Sequence, residues 1–148
     1  MKRLPMLVVL CILVTATTAA QVRPNLSGKW MGPSRSDATA LTIDQRATSI
    51  TIESPTLQSG VVRWTYKLDG SESSNTVAQD GGAVEQTSRA AWDGNTLVIS
   101  TPGRPNAQGP TVIRQSYSLY GSTLTVTIAV TQGETGAVLQ NYKTTYSK

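Results

Sequence analysis

The feature that most constrains this fold is a repeated hairpin pattern, in which short alternating runs are separated by tight-turn residues. The stretch 89–100 (RAAWDGNTLVIS) has an Asp-Gly-Asn turn between Trp92 and Leu97. Asp-Gly supplies the positive φ that a two-residue hairpin turn needs, and apolar residues flank it. Residues 64–71 and 117–127 repeat the pattern. The chain is therefore predicted to be built from adjacent β-hairpins.

Apolar residues elsewhere in 21–148 alternate with polar ones and do not recur at helical spacing. The alternating runs predict strands at 28–33, 38–44, 48–53, 61–68, 74–79, 84–92, 96–101, 111–119, 123–131 and 137–146. Short links favour pairing between sequence neighbours, and closure of the sheet would remove its free edges. We predict an all-β fold, a single antiparallel up-and-down β-barrel of about eight to ten strands.

The N-terminal segment has the order of a secretory signal peptide: a basic start at Lys2 and Arg3, an apolar run to Val14, and small residues to Ala20. The apolar run is shorter than the ~20 residues of a membrane-spanning helix. We therefore predict a signal peptide at 1–20, one β-barrel domain at 21–148, no stable membrane span after cleavage, and a secreted or periplasmic location. Cys11 lies inside the apolar run, which favours removal with the signal over lipid attachment.

Composition argues against most enzymes. The sequence has no His, and its one Cys, Cys11, falls within the predicted signal peptide. Ser-His-Asp and Cys-His triads and nearly all zinc sites are thereby excluded. Carboxylates such as Asp69 and Asp93 fall at turns, and no two are placed on one inner face as a glycosidase requires. We predict a non-enzymatic protein with no metal site and no cofactor.

The charge pattern does not favour nucleic acid. The whole chain has 13 Lys and Arg against 9 Asp and Glu. Without Lys2 and Arg3, the counts are 13 − 2 = 11 basic and 9 acidic residues. The remaining cations are dispersed along the chain, whereas phosphate binding needs them clustered. No nucleic-acid partner is predicted, and any protein partner is unknown.

Gly28-Lys29-Trp30 begins the first predicted strand and resembles the Gly-x-Trp signature of lipocalins and their calycin relatives. The resemblance implies a lipocalin-like, small secreted bacterial β-barrel protein. It also implies barrel-closing roles: Trp30 plugs the closed end, and Gly28 lets backbones approach there. The chain departs from true lipocalins because it has no helix after the barrel, no disulfide and no later lipocalin signature.

The predicted inner faces carry Trp and Tyr but no Phe. The candidate ligand-binding residues are Trp64, Tyr66, Trp92, Gln115 and Tyr117. The polar atoms of the Trp and Tyr side chains are compatible with a partly hydrated cavity. They are equally compatible with rings whose polar atoms reach the ends of the barrel. Gln115 is either the polar group that orients a ligand or a hydrogen-bonded core amide.

The sequence favours two functions. The first is a non-enzymatic secreted β-barrel that binds a small, largely apolar ligand in its interior. The alternative is a surface-acting module with a filled barrel and no ligand, either an inhibitor of a secreted enzyme or an envelope-associated β-domain. The long Pro/Gly loop at 101–110 (TPGRPNAQGP) motivates the alternative, because loops held on a rigid scaffold often carry recognition.

Overall fold

The computed structural model describes residues 22–56, 60–79 and 82–148, and the predicted signal peptide lies outside this part of the chain. The described residues form two antiparallel sheets. The four-stranded sheet contains β1 (Gly28–Trp30), β2 (Leu41–Gln45), β3 (Ser49–Pro55) and β4 (Val61–Lys67). The six-stranded sheet contains β5 (Asp69–Gln79), β6 (Gly82–Asp93), β7 (Thr96–Pro102), β8 (Thr111–Tyr120), β9 (Thr123–Gln132) and β10 (Val138–Ser147). In each sheet, strands consecutive in sequence are neighbours, as predicted.

The hairpin predicted at 89–100 is confirmed, and the structure sets its register. Ala90 is opposite Ile99 and Trp92 is opposite Leu97 across β6 and β7. Gly94 in the turn has φ +59°, the left-handed conformation that a tight hairpin favours. Ala90, Leu97 and Ile99 are fully buried, so their shared face is the inner one.

Three predicted strand ends are wrong by three residues or more. The strand predicted at 74–79 begins at Asp69, because the turn residues 69–71 lie inside the strand, beside a register shift between Asp69 and Glu72. The strand predicted at 28–33 ends at Trp30, and the strand predicted at 38–44 begins at Leu41. A short 3₁₀ helix over Asp37–Thr39 occupies the link, with the Ala40 N–H donating to the Asp37 carbonyl at 3.2 Å. Local turns and an ion pair between Lys29 and Asp37, 2.6 Å long, hold this link away from the ladder.

The expectation of one closed barrel is corrected, because the ladder is interrupted between β4 and β5 in the described residues. Side chains of β5 bond the β4 backbone there instead. Asn75 Oδ1 accepts from the Thr65 N–H at 2.7 Å, and Asn75 Nδ2 donates to the Thr65 carbonyl at 3.1 Å. Ser73 Oγ accepts from the Lys67 N–H at 2.9 Å. The Thr65 N–H and carbonyl and the Lys67 N–H are therefore paired on the β4 edge without a neighbouring backbone.

The second interruption lies between β1 and β10. Met31 and Ser147 form an isolated antiparallel bridge, with reciprocal backbone hydrogen bonds of 2.7 and 3.0 Å. Because β1 has only three residues, no β1 partner faces the rest of β10 in the described chain. The first half of β10, from 138 to 143, is exposed on both faces.

The core lies between the two sheets. Its buried apolar residues come from the inner faces of both sheets and from the segment before β1; they are Leu26, Trp30, Leu41, Ile43, Ile50, Ile52, Tyr66, Leu68, Ala90, Leu97, Ile99, Tyr117, Leu124 and Val126. The end of the core beside the turns at 46–48, 94–95 and 121–122 is called the lower end here. Small polar residues at the opposite end, Ser88 and Thr101 among them, are also buried, and their hydroxyls bond at 2.8 Å.

Candidate functional site

A cavity of about 200 Å³ lies between the two sheets. Four of the five predicted ligand-binding residues line it: Trp64 and Tyr66 from β4, and Gln115 and Tyr117 from β8. The alternation of β4 and β8 brings these side chains to inner faces that oppose each other across the core. The remaining lining residues are Leu41, Ile52, Ser54, Val126, Ile128 and Tyr146.

The polar groups of the cavity are few and partly oriented. The Tyr117 hydroxyl donates to Gln115 Oε1 at 3.0 Å, because the two residues are two apart on one strand and share its inner face. This bond turns the amide so that Gln115 Nε2 is the group left available to the cavity. An apolar wall with a few converging polar groups is typical of small-molecule sites.

Three tyrosines surround this cavity in a poorly solvated environment. Burial raises the pKa of Tyr66 to about 12. Burial also raises the pKa of Tyr117, with smaller contributions from the neighbouring Tyr66 and Tyr146 phenols. The pKa of Tyr146 is likewise raised by burial. A negative charge at any of these oxygens is disfavoured, so all three hydroxyls stay protonated near neutral pH.

Trp92, the fifth predicted ligand-binding residue, does not line the cavity. Leu97 is opposite Trp92 on one side and Tyr117 on the other, so it separates the indole from the cavity. Trp92 packs partly buried against the core, and the Arg23 guanidinium lies 6.0 Å from its ring centre. Its Nε1 is buried without a hydrogen-bond partner in the described residues.

The two residues predicted to close the barrel lie at the lower end. Trp30 is 1% exposed, and its Nε1 donates to the Leu26 carbonyl at 2.8 Å. The Lys148 ammonium lies 4.8 Å from the Trp30 ring centre. Gly28 has φ +136°, and a Cβ there would come within 3.0 Å of the Lys148 Cε. Gly28 therefore leaves room for the lysine that covers Trp30.

An N-terminal arm, residues 22–27, covers the same end and is held by Gln45. Gln45 Oε1 accepts from the Leu26 N–H at 2.9 Å, and Gln45 Nε2 donates to the Pro24 carbonyl at 3.2 Å. Leu26 is fully buried beneath the arm. The sequence does not predict this contact, because a single Gln on a strand gives no signal that it binds a remote backbone.

A second concavity, called the outer groove here, has a volume of about 320 Å³. It is bordered by Glu72, Thr87, Ser88, Arg89, Ser100, Thr101, Pro102, Pro110, Thr111 and Val112. Most of these side chains belong to the outward face of the six-stranded sheet. The Arg89 guanidinium lies 2.7 Å from the Glu72 carboxylate, so the two charges of the groove neutralise each other.

The Pro/Gly loop at 101–110 borders the outer groove and is held by Gln132. Gln132 Nε2 donates to the carbonyls of Gln108 and Pro110, each at 3.0 Å. Its Oε1 accepts from Asn106 Nδ2 at 3.2 Å. Because Gln132 is itself buried, the loop is anchored to the end of β9.

Residues 22–56, 60–79 and 82–148 contain no group of three or more Asp or Glu side chains that could hold a metal ion. Within the same ranges, no helix has the length and apolar character needed to cross a membrane. Ion pairs such as Arg63–Glu53 hold exposed carboxylates on the sheet surface. The cavity between the sheets is lined by three phenols, an indole, an amide, a hydroxyl and aliphatic side chains, and none of these groups is charged.

Comparison of the chain with models of known protein families finds no match. A search of curated proteins likewise finds none that is similar. The function therefore has to be argued from the cavity itself.

Proposed function

We propose that this protein is a secreted or periplasmic carrier that binds a small, largely apolar molecule in the cavity between its two sheets. In this proposal the sheets act as a split, lipocalin-like barrel, closed at the lower end by Trp30 and the 22–27 arm. The protein performs no chemistry on its ligand. The proposal rests on one observation above all: four residues chosen by inner-face alternation surround one cavity.

The size of the cavity supports a small ligand. At about 200 Å³ it is below the roughly 300–1,000 Å³ of sites for drug-sized molecules. An apolar cavity of about 150 Å³ holds one benzene molecule. A ligand of one substituted ring therefore suits the available space.

Filling the cavity should abolish binding. We expect a single-ring, environment-sensitive apolar dye to bind the wild-type protein, and Ile128→Trp to weaken that binding at least about tenfold, because the indole would occupy the cavity. Ile128 is a partly buried lining residue, so some destabilisation is expected. Dye emission measures binding, and circular dichroism verifies that the variant is folded.

Thr127→Trp is the matched control. Thr127 precedes Ile128 on β9, and strand alternation directs it to the outward face. It should leave dye binding unchanged. Dye binding that survives Ile128→Trp, or that is absent from the wild type, would contradict the carrier proposal.

A second candidate function is a surface-acting module that uses the outer groove and the 101–110 loop. The observation that favours it is the anchoring of this loop by Gln132, which fixes its shape before any partner arrives. A pre-ordered loop loses less conformational entropy on binding. Such a module would inhibit a secreted enzyme or associate with the cell envelope.

Replacing residues 103–110 with a short turn separates the two candidates. The surface-acting candidate predicts that the wild-type protein captures a partner from the native secretome and that this folded variant loses it. The carrier candidate predicts unchanged ligand binding and no captured partner in either form.

A further inference from the structure

We propose that the ligand is neutral, contains an aromatic ring, and presents a hydrogen-bond acceptor such as a carbonyl oxygen to Gln115 Nε2. This inference rests on the proposed carrier function and specifies its ligand class. It distinguishes the cavity from one that binds fatty acids or other anions.

The acceptor requirement comes from the orientation of one amide. Tyr117 donates to Gln115 Oε1 at 3.0 Å, which uses the acceptor end of the side chain. The donor end, Nε2, has no hydrogen bond to another described residue and is not among the buried atoms without a partner. It therefore retains contact with the cavity space. A ligand without an acceptor would displace the water that can accept from Nε2 and would leave this donor unpaired, which weakens binding.

The other polar groups agree with this requirement. Tyr66 and Tyr146 line the same cavity, and their phenols are close enough to Tyr117 to contribute to its raised pKa. Neither hydroxyl has a hydrogen bond to another described residue, so each has a proton to donate. The hydroxyls can donate or accept, whereas Gln115 Nε2 can only donate, so this group is the one that requires an acceptor on the ligand.

The residues that line the cavity favour a neutral ligand. None of the ten residues around the cavity is Lys, Arg, Asp or Glu. A buried carboxylate without a cationic partner is costly to desolvate. The raised pKa values of Tyr66, Tyr117 and Tyr146 show independently that this environment disfavours negative charge on oxygen.

The aromatic rings that line the cavity favour an aromatic ligand. The side chains of Trp64, Tyr66, Tyr117 and Tyr146 contribute four rings to one small cavity. Edge-to-face or offset contacts between two aromatic rings contribute a favourable free energy in addition to that of the apolar area they bury. The aliphatic side chains of Ile52 and Val126 complete an apolar surface suited to a flat molecule.

Three ligands of matched shape test the proposal: acetophenone, ethylbenzene and benzoate. We expect acetophenone to bind about three- to tenfold more tightly than ethylbenzene, the range that one neutral hydrogen bond gives. Benzoate should show no binding at the same concentrations. Affinities come from NMR titration, in which acetophenone alone should shift the Gln115 side-chain amide signals.

Gln115→Met removes the amide while keeping an unbranched side chain. In this variant, acetophenone and ethylbenzene should bind equally, and ethylbenzene binding should be retained. Gln108→Met is the matched control, because Gln108 is exposed and its hydrogen bonds to Asn106 and Gln132 are formed by its backbone. The control should keep the wild-type preference for acetophenone.

The outcomes separate this inference from the carrier function. Equal binding of acetophenone and ethylbenzene by the wild type, or tighter binding of benzoate, would overturn the inference and leave the carrier function standing. A preference for acetophenone that survives Gln115→Met would overturn the role of Gln115. Failure of all three ligands and of the apolar dye would overturn both proposals.

Discussion

Trp30→Ala is expected to lower the free energy of unfolding by about 3–5 kcal/mol, the usual cost of truncating a buried Trp. Trp30 is 1% exposed, and its indole fills the lower end beneath Leu26 and beside Lys148. Domains of this kind have a free energy of unfolding of only about 5–15 kcal/mol, so this one substitution removes a large fraction of it. Urea denaturation followed by far-UV circular dichroism measures the loss.

Trp30→Phe and Tyr120→Ala make the result specific. Trp30→Phe keeps a ring but removes the 2.8 Å hydrogen bond to the Leu26 carbonyl, so it should cost clearly less than the alanine variant. Tyr120 is 91% exposed, so Tyr120→Ala should change stability by no more than about 0.5 kcal/mol. A loss below about 1 kcal/mol for Trp30→Ala would mean that Trp30 does not close this end.

Stability is expected to fall steeply as the pH rises above 10. Burial raises the pKa of Tyr66 from 10.0 to about 12 in the folded protein. Below pH 10 both states hold the phenolic proton, so the contribution of Tyr66 to stability is fully present. Between pH 10 and 12 the unfolded chain releases the proton first, and the free energy of unfolding decreases by about 2 kcal/mol. Tyr117 adds a further loss, because its pKa is also raised.

Urea unfolding at several pH values below 10 and between 10 and 12 measures this loss. Tyr66→Phe should make the profile shallower by removing one titrating group from the core. Tyr120→Phe replaces an exposed tyrosine and should retain the wild-type profile. Identical profiles for wild type and Tyr66→Phe would show that Tyr66 is not the group responsible.

The strands could be predicted because each has a polar and an apolar face. On β9, for example, Leu124 and Val126 are buried while Thr123 is exposed, and the alternation of apolar and polar residues predicts this difference. The 31–40 link could not be predicted. Its local turns and the Lys29–Asp37 ion pair compete with strand extension, and alternation carries no information about such competition.

Alternation identifies which face of a strand is buried but not where along that face a cavity lies. Alternation places Trp64, Tyr66, Gln115 and Tyr117 on inner faces, and these four residues line one cavity. Alternation also places Trp92 on an inner face. Only the register, which sets Leu97 between Trp92 and Tyr117, excludes Trp92. Tyr146 was missed as a lining residue because its inward direction depends on pairing with Leu124.

The separation of the strands into two sheets also could not be predicted from the sequence. A free β4 edge would have argued for closure by another strand. Asn75 instead offers a side-chain acceptor and donor in place of a neighbouring peptide group. Asn is common in turns and surface positions, so nothing in the pattern around residue 75 distinguishes this use.

The Met31–Ser147 bridge has a consequence for the order of folding. Every ladder within the two sheets joins sequence neighbours and can form by closing a short loop. The bridge joins residues near opposite ends of the described chain, and contacts of such long sequence separation form slowly. We expect each meander to assemble first and the bridge to form last. The cavity between the sheets, which is lined by residues from both meanders, is complete only once the two meanders have packed together.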